Sequence, residues 1–363
     1  MLRLTDAGLY CEAGDFHIDP WRSVSRAVIT HAHADHARAG SARYLTARPG
    51  AAVLRARLSA DAAIDTLEYG ESIDIGGARL SLHPAGHILG SSQVRVEHRG
   101  QVMVASGDYK LAADPTCAAF EPVRCHAFIT EATFALPVYR WRPAGQIFDE
   151  LNAWWRANQD AGRTSVVFAY SLGKAERVLA SLDAEAGPIL VHGAVRTMVA
   201  AYEASGVRLP PVEPATSETV RRAGGKAIVI APPSTDDSAW LRRFGPISTS
   251  VASGWMQNRG ARRRRGVDRG WVVSDHADWD GLLSAIAATG AERVLVTHGY
   301  TATLARWLAE WGYQAEVLAT RYVGEDGASA DLDATASENG APVQVAPKDF
   351  QPGGRAPAAM PGK

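Results

Sequence analysis

Residues 31–36 read HAHADH, so three histidines and an aspartate fall within six positions. The segment follows the apolar run 27–29 (AVI), which is typical of a buried strand that ends where the histidines begin. A turn after a strand can aim all four polar side chains at one place, and both imidazole nitrogen and carboxylate oxygen bind zinc. The four residues are His31, His33, Asp35 and His36. The stretch therefore predicts a metal-binding loop; the alternative is a polar loop that holds three histidines by chance.

Further candidate ligands occur later in the chain, each after a strand-like apolar run. They are His87 in HPAGHILGSS, Asp108 in VMVASGDYK and His298 in ERVLVTHGY. Functional groups concentrate just beyond buried strands in layered α/β folds. Either histidine alone would be an ordinary loop residue, but four strand ends with the same ligand chemistry predict one shared metal site.

Taken together, the motifs resemble the metallo-β-lactamase superfamily of metal hydrolases. The resemblance is carried by HxHxDH at 31–36, GHxxGS at 86–91 and GDY at 107–109. Three later motifs resemble the β-CASP branch, the nucleic-acid nucleases of that superfamily: TEAT at 130–133, SDHAD at 274–278 and THG at 297–299. Within the branch, the segment 254–279 (GWMQNRGARRRRGVDRGWVVSDHADW) is most similar to the bacterial exonuclease group associated with ATP-dependent DNA ligases.

The resemblance implies an α/β fold, an αββα metallo-β-lactamase sandwich with an inserted β-CASP domain. Residues 1–136 and 272–325 would form the sandwich, 137–271 the insertion, and 326–363, poor in large apolar residues, a disordered tail. The short apolar runs of the first third suit one sheet of the sandwich. Helices are predicted at 146–158, 173–182 and around 195–205, and strands at 164–169, 189–192 and 227–231. This alternation predicts a parallel sheet in the insertion.

The resemblance also implies roles for the candidate ligands. His31, His33 and His87 would hold one divalent cation, Asp35, His36 and His298 a second, and Asp108 would bridge the two. Zinc is the expected metal and manganese the alternative. Two such cations activate a bridging water and neutralise charge on a phosphoryl transition state, so Asp35 also counts as catalytic. Asp19, in HIDP, would orient a ligand or the histidine loop.

Phosphodiester hydrolysis also needs a proton for the departing oxygen. By resemblance His276 supplies it, with Glu131 beside it, since a carboxylate favours the protonated imidazole. Without its partner motif, Glu131 would be interpreted as a carboxylate that caps a loop. The two residues complete the predicted catalytic set.

Two segments are candidates for holding a nucleic-acid backbone. Ser171 and Lys174 lie at a predicted strand-to-helix turn, where amides and an ammonium group can hold a phosphate; a plain turn is the alternative. Arg262, Arg263, Arg264 and Arg265 form a run shortly before His276, which favours phosphate binding over plain solvated surface. Trp255 would be either a stacking surface for bases or a core residue.

Composition limits the function classes. With 38 basic and 39 acidic residues, the net charge is −1, so nucleic-acid binding requires a local basic patch. The three cysteines, Cys11, Cys117 and Cys125, lack CxxC spacing and are expected to be reduced thiols. No apolar run approaches the roughly 18 residues of a membrane helix, and the N-terminus lacks a signal-peptide pattern. A cytoplasmic enzyme without a membrane partner is therefore expected.

Three functions are compatible with these motifs. The leading one is a metal-dependent DNA-repair exonuclease that works with an ATP-dependent DNA ligase and a helicase. The alternative is an RNA-processing endo- or exoribonuclease, similar to those of mRNA 3′-end processing, because RNA-acting members carry histidine in the third motif, as His298 does. A hydrolase of thioesters, lactams or lactones is disfavoured, since such members generally lack both the insertion and the Glu131/His276 pair.

Overall fold

The computed structural model of the chain describes residues 1–236 and 239–322. The predicted tail at 326–363 lies outside the described residues. Three sheets make up the described part, and two of them face each other. No helix within it is both long and apolar enough to span a membrane.

The first sheet contains the first six strands in chain order. They are β1 (Leu2–Thr5), β2 (Gly8–Cys11), β3 (Phe16–Ile18), β4 (Arg26–Val28), β5 (Arg43–Ala47) and β6 (Ile64–Leu67). Pairing is antiparallel from β1 to β3 and parallel from β3 to β6. Helix α1 (Ala51–Leu58) covers the outer face through Val53 and Leu54.

The second sheet combines strands from both ends of the sandwich sequence. They are β7 (Ser72–Ile75), β8 (Ala78–Pro84), β9 (Ser92–His98), β10 (Gln101–Ala105), β11 (Ala127–Ala132), β18 (Arg293–Gly299) and β19 (Gln314–Val317), in the order β19-β18-β11-β10-β9-β8-β7. The prediction of a single sheet for the first third is therefore wrong. Alternating apolar runs identify strands, but the turn after β6 decides which sheet the next strand joins.

Strand direction in the second sheet determines where the functional loops lie. β10 pairs in parallel with β11, and β11 with β18, while β8 and β10 are both antiparallel to β9. These four strands therefore run the same way. Their carboxyl ends meet at one edge, where loops gather side chains from distant parts of the sequence.

The core between the two sheets is built from alternate residues of facing strands. Phe16 and Ile18 on one sheet pack against Leu80, Leu82 and Val94 on the other, all nearly fully buried. Burial of one such side chain contributes about 1.5–3 kcal/mol. Helices α7 (Trp279–Thr289) and α8 (Thr301–Glu310) cover the outer face of the second sheet. This layering confirms the predicted α/β class and αββα arrangement.

The third sheet is formed entirely by residues between 164 and 271. Its strands are β12 (Thr164–Phe168), β13 (Ile189–Val191), β14 (Glu213–Pro214), β15 (Ile228–Ala231), β16 (Ile247–Ala252) and β17 (Arg269–Trp271), in the order β14-β13-β15-β12-β16-β17. All pairings are parallel, as predicted.

Helices surround the third sheet. They are α2 (Ala144–Asp160), α3 (Lys174–Leu179), α4 (Gly193–Ala204), α5 (Ser217–Ala223) and α6 (Arg259–Arg264). Helix α3 is shorter than predicted, because tighter turns with bonds three residues apart replace helical bonding around Ser181 and Leu182. Met198 and Tyr202 of α4 pack on the apolar cluster that contains α1, so this unit docks against the sandwich. The domain boundaries at 137 and 271 stay a prediction.

Candidate metal centre

The predicted ligands converge at the common edge of the second sheet. His87 and Asp108 lie in the loops that follow β8 and β10, and His298 lies at the end of β18. The 31–36 loop after β4 closes over the same edge. Gly107 makes this approach possible: its φ is +58°, and a Cβ there would lie 2.7 Å from the Thr30 side chain.

Two groups of potential ligand atoms share Asp108. The first contains His31, His33, His87 and Asp108, all buried, and the second contains His36, Asp108 and His298. Within each group, the ligand atoms lie within 4.8 Å of one another. Asp35 adjoins the second group, with Oδ2 3.7 Å from His36 Nε2. The seven residues predicted as ligands therefore surround one small volume, and Asp108 lies where it could bridge.

Hydrogen bonds to backbone carbonyls fix the ring protons of His33 and His87. His33 Nε2 lies 3.0 Å from the Leu172 carbonyl, and His87 Nδ1 lies 2.8 Å from the Asp275 carbonyl. A carbonyl only accepts, so each of these nitrogens carries the proton. The opposite nitrogens, His33 Nδ1 and His87 Nε2, then present lone pairs to each other at 3.1 Å. Two lone pairs cannot form a hydrogen bond, and a cation between them relieves their repulsion.

Asp19 fixes the ring protons of the other two loop histidines, His31 and His36, on Nδ1. Its Oδ2 accepts from Thr30 Oγ1 at 2.5 Å and from His36 Nδ1 at 2.7 Å. Because the Thr30 hydroxyl donates its hydrogen to Asp19, it can only accept from His31 Nδ1, which lies 3.0 Å away. His31 Nε2 is left with its lone pair directed at the cluster, and neither His31 Nε2 nor His36 Nε2 has a hydrogen-bond partner in the described part of the chain. Histidine ligands of metals are oriented in this way.

The electrostatics of the cluster also favour a cation. Burial and the neighbouring His36 lower the pKa of His31 well below its usual value, so His31 is neutral, as a metal ligand must be. Burial opposes a charge on His36, but Asp35 and Asp108 raise its pKa to about 10. The cluster thus attracts positive charge, and a divalent cation would take the place of that proton. The donor set, imidazole nitrogen with carboxylate oxygen, fits zinc or manganese.

Glu131 and His276 form a hydrogen-bonded pair beside the cluster. Glu131, in β11, is 1% exposed, and its two oxygens lie 3.0 and 2.9 Å from His276 Nδ1. Its carboxylate also accepts from the Tyr109 amide at 2.9 Å and from the Thr133 hydroxyl. The His276 ring lies 4.6 Å from the His87 ring. The pair therefore adjoins the ligands, with His276 held in one orientation.

Tyr322 is a site residue that the sequence analysis missed. Its ring stacks on His36 at 4.4 Å and 8°, and its hydroxyl donates to the Asp19 carbonyl at 3.2 Å. With Thr320 and three of the candidate ligands, His36, Asp108 and His298, it lines a small cavity of about 30 Å³. No motif marks this tyrosine. Only the return of the chain after β19 brings it to the metal centre.

The 170–176 turn lies at the site, but a side chain of the protein already occupies the start of helix α3, where a phosphate was predicted to bind. The side-chain carboxyl group of Glu176 accepts from the Gly173 amide at 2.6 Å. Lys174 is buried, and its Nζ lies 3.4 Å from Asp275 Oδ2. A phosphate held by Lys174 would have to displace this ion pair, whereas Ser171 is partly exposed.

The arginine run forms helix α6 and lies near a row of aromatic rings. Asn258 caps the helix, which ends at Arg264, and half-buried Arg265 follows it. Arg262, Arg263 and Arg264 are all exposed, and Arg262 also donates to the Met256 carbonyl at 2.8 Å. Trp255, just before this helix, has its ring 4.8 Å from that of Phe134. The Phe134 ring in turn lies 6.0 Å from the His276 ring. Aromatic side chains thus connect the basic helix to the candidate acid.

Two curated relatives illustrate what the chain is similar to. A protein named "Probable DNA ligase" from Opitutus terrae is 32% identical over 322 residues, which are 88% of this chain and 31% of that protein. "Endoribonuclease YSH1" from Eremothecium gossypii is 25% identical over 122 residues, 33% of this chain and 16% of that protein. The chain thus spans about a third or less of the length of these relatives. No protein-family model matches the chain.

A solved structure supports the fold. The crystal structure of a protein of unknown function from Enterococcus faecalis superimposes with a TM-score of 0.57, and the match covers 82% of this chain and 79% of that one. The two sequences are 12% identical, so this similarity concerns the fold alone.

Proposed function

The chain belongs to the β-CASP branch of the metallo-β-lactamase superfamily, and we propose that it is a metal-dependent nuclease that hydrolyses phosphodiester bonds of DNA. One observation carries the proposal. Four buried histidines direct ring nitrogens at a shared aspartate, and a hydrogen-bonded carboxylate–imidazole pair lies directly beside them. Metal ligands and a proton donor are the two components that this hydrolysis needs.

The ligand arrangement supports two cations. His31, His33 and His87 would hold one, Asp35, His36 and His298 the other, and Asp108 both. Bound divalent cations supply charge neutralisation at the phosphate and lower the pKa of a bound water. Zinc is the proposed metal, since neutral imidazole with carboxylate suits it.

The remaining work falls to side chains of the protein. The Glu131 carboxylate accepts the proton of His276 Nδ1, which stabilises the imidazolium form and directs Nε2 away from Glu131. Nε2 would then deliver a proton to the departing oxygen, and the hydrogen bond from the Tyr109 amide helps to hold the Glu131 carboxylate in place. Asp19 and Tyr322 hold His36 in position, so the ligand geometry exists before substrate binds.

The choice of DNA rests on the extent of similarity. The relative named as a ligase matches most of this chain, whereas the endoribonuclease matches a third of it at lower identity. RNA hydrolysis is the second candidate, supported by the endoribonuclease match and by His298. In either case we propose that Arg263 and Arg264 hold backbone phosphates, while Trp255 and Phe134 offer rings against which bases can stack.

The ligase relative also supports a partner. Because about two thirds of that protein lie outside the match, a region like this chain is joined there to further sequence. We therefore propose that this nuclease acts in DNA repair together with an ATP-dependent DNA ligase and a helicase, as an exonuclease that prepares ends for sealing. Residues 137–271 would form the inserted domain that holds the strand. A cytoplasmic location remains a prediction from the sequence.

Digestion of labelled nucleic acids tests the proposal. The purified protein, freed of metal and reconstituted with Zn²⁺ or Mn²⁺, would be incubated with end-labelled single- and double-stranded DNA and with RNA of the same sequence. Metal-dependent release of short labelled products from a DNA end is the expected result. A matched His276→Ala protein serves as the control for contaminating nuclease.

The other outcomes separate the alternatives. Hydrolysis of RNA with DNA left intact would favour the ribonuclease. Hydrolysis of thioester or lactone substrates, with no nucleic acid cleaved under either metal, would overturn the nuclease proposal. Internal cleavage of a circular DNA would replace the exonuclease with an endonuclease.

A further inference from the structure

A backbone carbonyl outside the sandwich contacts one of the metal-ligand candidates. The Leu172 carbonyl, between β12 and α3, lies 3.0 Å from His33 Nε2, and both residues are buried. This contact places the proton of His33 on Nε2 and directs Nδ1 toward the ligand cluster. A turn next to the third sheet therefore controls the orientation of a ligand from the 31–36 loop.

The turn has an unusual backbone conformation. Leu172 has a φ of +114° and Gly173 a φ of +97°. A Cβ on Gly173 would lie 2.3 Å from the Ile88 side chain, which follows the ligand His87. A leucine rarely adopts positive φ, so the surrounding structure must hold it there.

Glu176 supplies that restraint. It is fully buried, and its Oε2 accepts from the Gly173 amide at 2.6 Å. Its other oxygen, Oε1, has no hydrogen-bond partner among the described residues. Burial raises the pKa of Glu176 to about 8. At neutral pH its side chain is therefore largely uncharged and similar to glutamine in both charge and shape.

We infer that Glu176 is a positioning residue for the metal centre: by fixing the Leu172–Gly173 turn, it holds the carbonyl that orients His33. The inference rests on the proposed metal function. It adds that metal binding depends on a turn next to the third sheet. His36, by contrast, is oriented from within the sandwich through Asp19. Loss of Glu176 should therefore lower the affinity for the cation held by His33 and leave the affinity for the other cation unchanged.

The test measures metal binding rather than turnover. Metal-free wild-type protein and four variants, Glu176→Met, Glu176→Ala, Glu176→Gln and Val178→Ala, would be titrated with Co²⁺. Visible absorption reports the ligand geometry, and a competing chelator reports the affinity. Glu176→Met keeps most of the volume but removes the acceptor, and Glu176→Gln keeps the acceptor. Val178→Ala is the matched control, because Val178 is fully buried in the same helix and belongs to its apolar core.

The variants should separate positioning from stability. Glu176→Met is expected to bind one Co²⁺ about 10–100-fold more weakly, the usual effect of losing a group that orients a ligand, with an altered spectrum. Glu176→Gln should resemble wild type. Val178→Ala should lower the melting temperature and leave both affinity and spectrum unchanged.

Three results would overturn the inference. One is wild-type affinity in Glu176→Met; another is an equal loss of affinity in Val178→Ala. The third is failure of both Glu176→Met and Glu176→Ala to fold while Glu176→Gln folds, since this would assign Glu176 to stability alone. Wild-type protein that binds no Co²⁺ would instead refute the proposed metal function.

Discussion

Asp19→Asn should change the ring proton of His36 without changing the shape of the site. Asp19 is 2% exposed, and its Oδ1 accepts from the Thr30 amide at 2.7 Å, while Oδ2 accepts from the Thr30 hydroxyl and from His36 Nδ1. The side chain of asparagine has only one oxygen. That oxygen is expected to keep the hydrogen bond from the Thr30 amide, because a backbone amide cannot rotate away. The new NH₂ group then faces the N–H of His36. To accept from it, His36 must move its proton to Nε2, the atom directed at the ligand cluster.

The expected loss in metal affinity follows from the hydrogen bond that His36 loses. A hydrogen bond to a charged group contributes about 1.5–3 kcal/mol. At about 1.4 kcal/mol per factor of ten, metal affinity should fall about 10–100-fold. Removal of groups that orient metal ligands has effects of similar size. Hydrolysis should recover in part at high metal concentration, because the remaining ligands are intact.

The assay is a Zn²⁺ titration of metal-free protein against a chromophoric chelator, paired with DNA hydrolysis over a range of metal concentrations. Asp15→Asn is the matched control. Asp15 also has a positive φ, +51° against +43° for Asp19, and bonds to the exposed Tyr10 hydroxyl. Affinity within about twofold of wild type in Asp19→Asn, or an equal loss in Asp15→Asn, would refute the reasoning.

Three further predictions concern the ligands, the acid and the strand-holding surface. His33→Ala or Asp35→Ala should abolish hydrolysis while the circular dichroism spectrum is retained; near-normal activity in either would contradict the ligand assignment. His276→Ala should lower DNA turnover by about 10²–10⁴-fold with metal content unchanged, and the loss should shrink on a nitrophenyl phosphodiester, whose leaving group needs no proton. An equal loss on both substrates would point to positioning. Replacing Arg263 and Arg264 together with alanine should reduce the salt slope of single-strand binding by about 1.4, at about 0.7 per phosphate contact, and spare the nitrophenyl substrate. An unchanged slope would mean that these arginines are solvated surface.

The sequence by itself identified the candidate ligands because metal chemistry restricts residue type. Histidine and aspartate at the ends of strands can be recognised directly in the sequence. In the structure, the 31–36 loop, His87, Asp108 and His298 do lie together. Apolar periodicity likewise predicted the parallel third sheet and most of its helices, since side-chain burial repeats with the period of the element.

The sequence could not identify the groups that orient those ligands. Two of them are the carbonyls of Leu172 and Asp275, and every residue has a carbonyl. Tyr322 and Glu176 likewise have no motif. The placement of β7 to β10 in a second sheet was equally invisible, because periodicity marks a strand and not its neighbour.

Only the tertiary structure decided which nitrogen of a histidine ring carries the proton and which has the free lone pair. That choice depends on hydrogen bonds between residues far apart in sequence, such as His33 with Leu172 and His87 with Asp275. It also decided that Lys174 pairs with Asp275 at a helix end already occupied by Glu176. Local sequence determines the chemistry a residue can perform, whereas its protonation and orientation are set by the neighbours that folding brings to it.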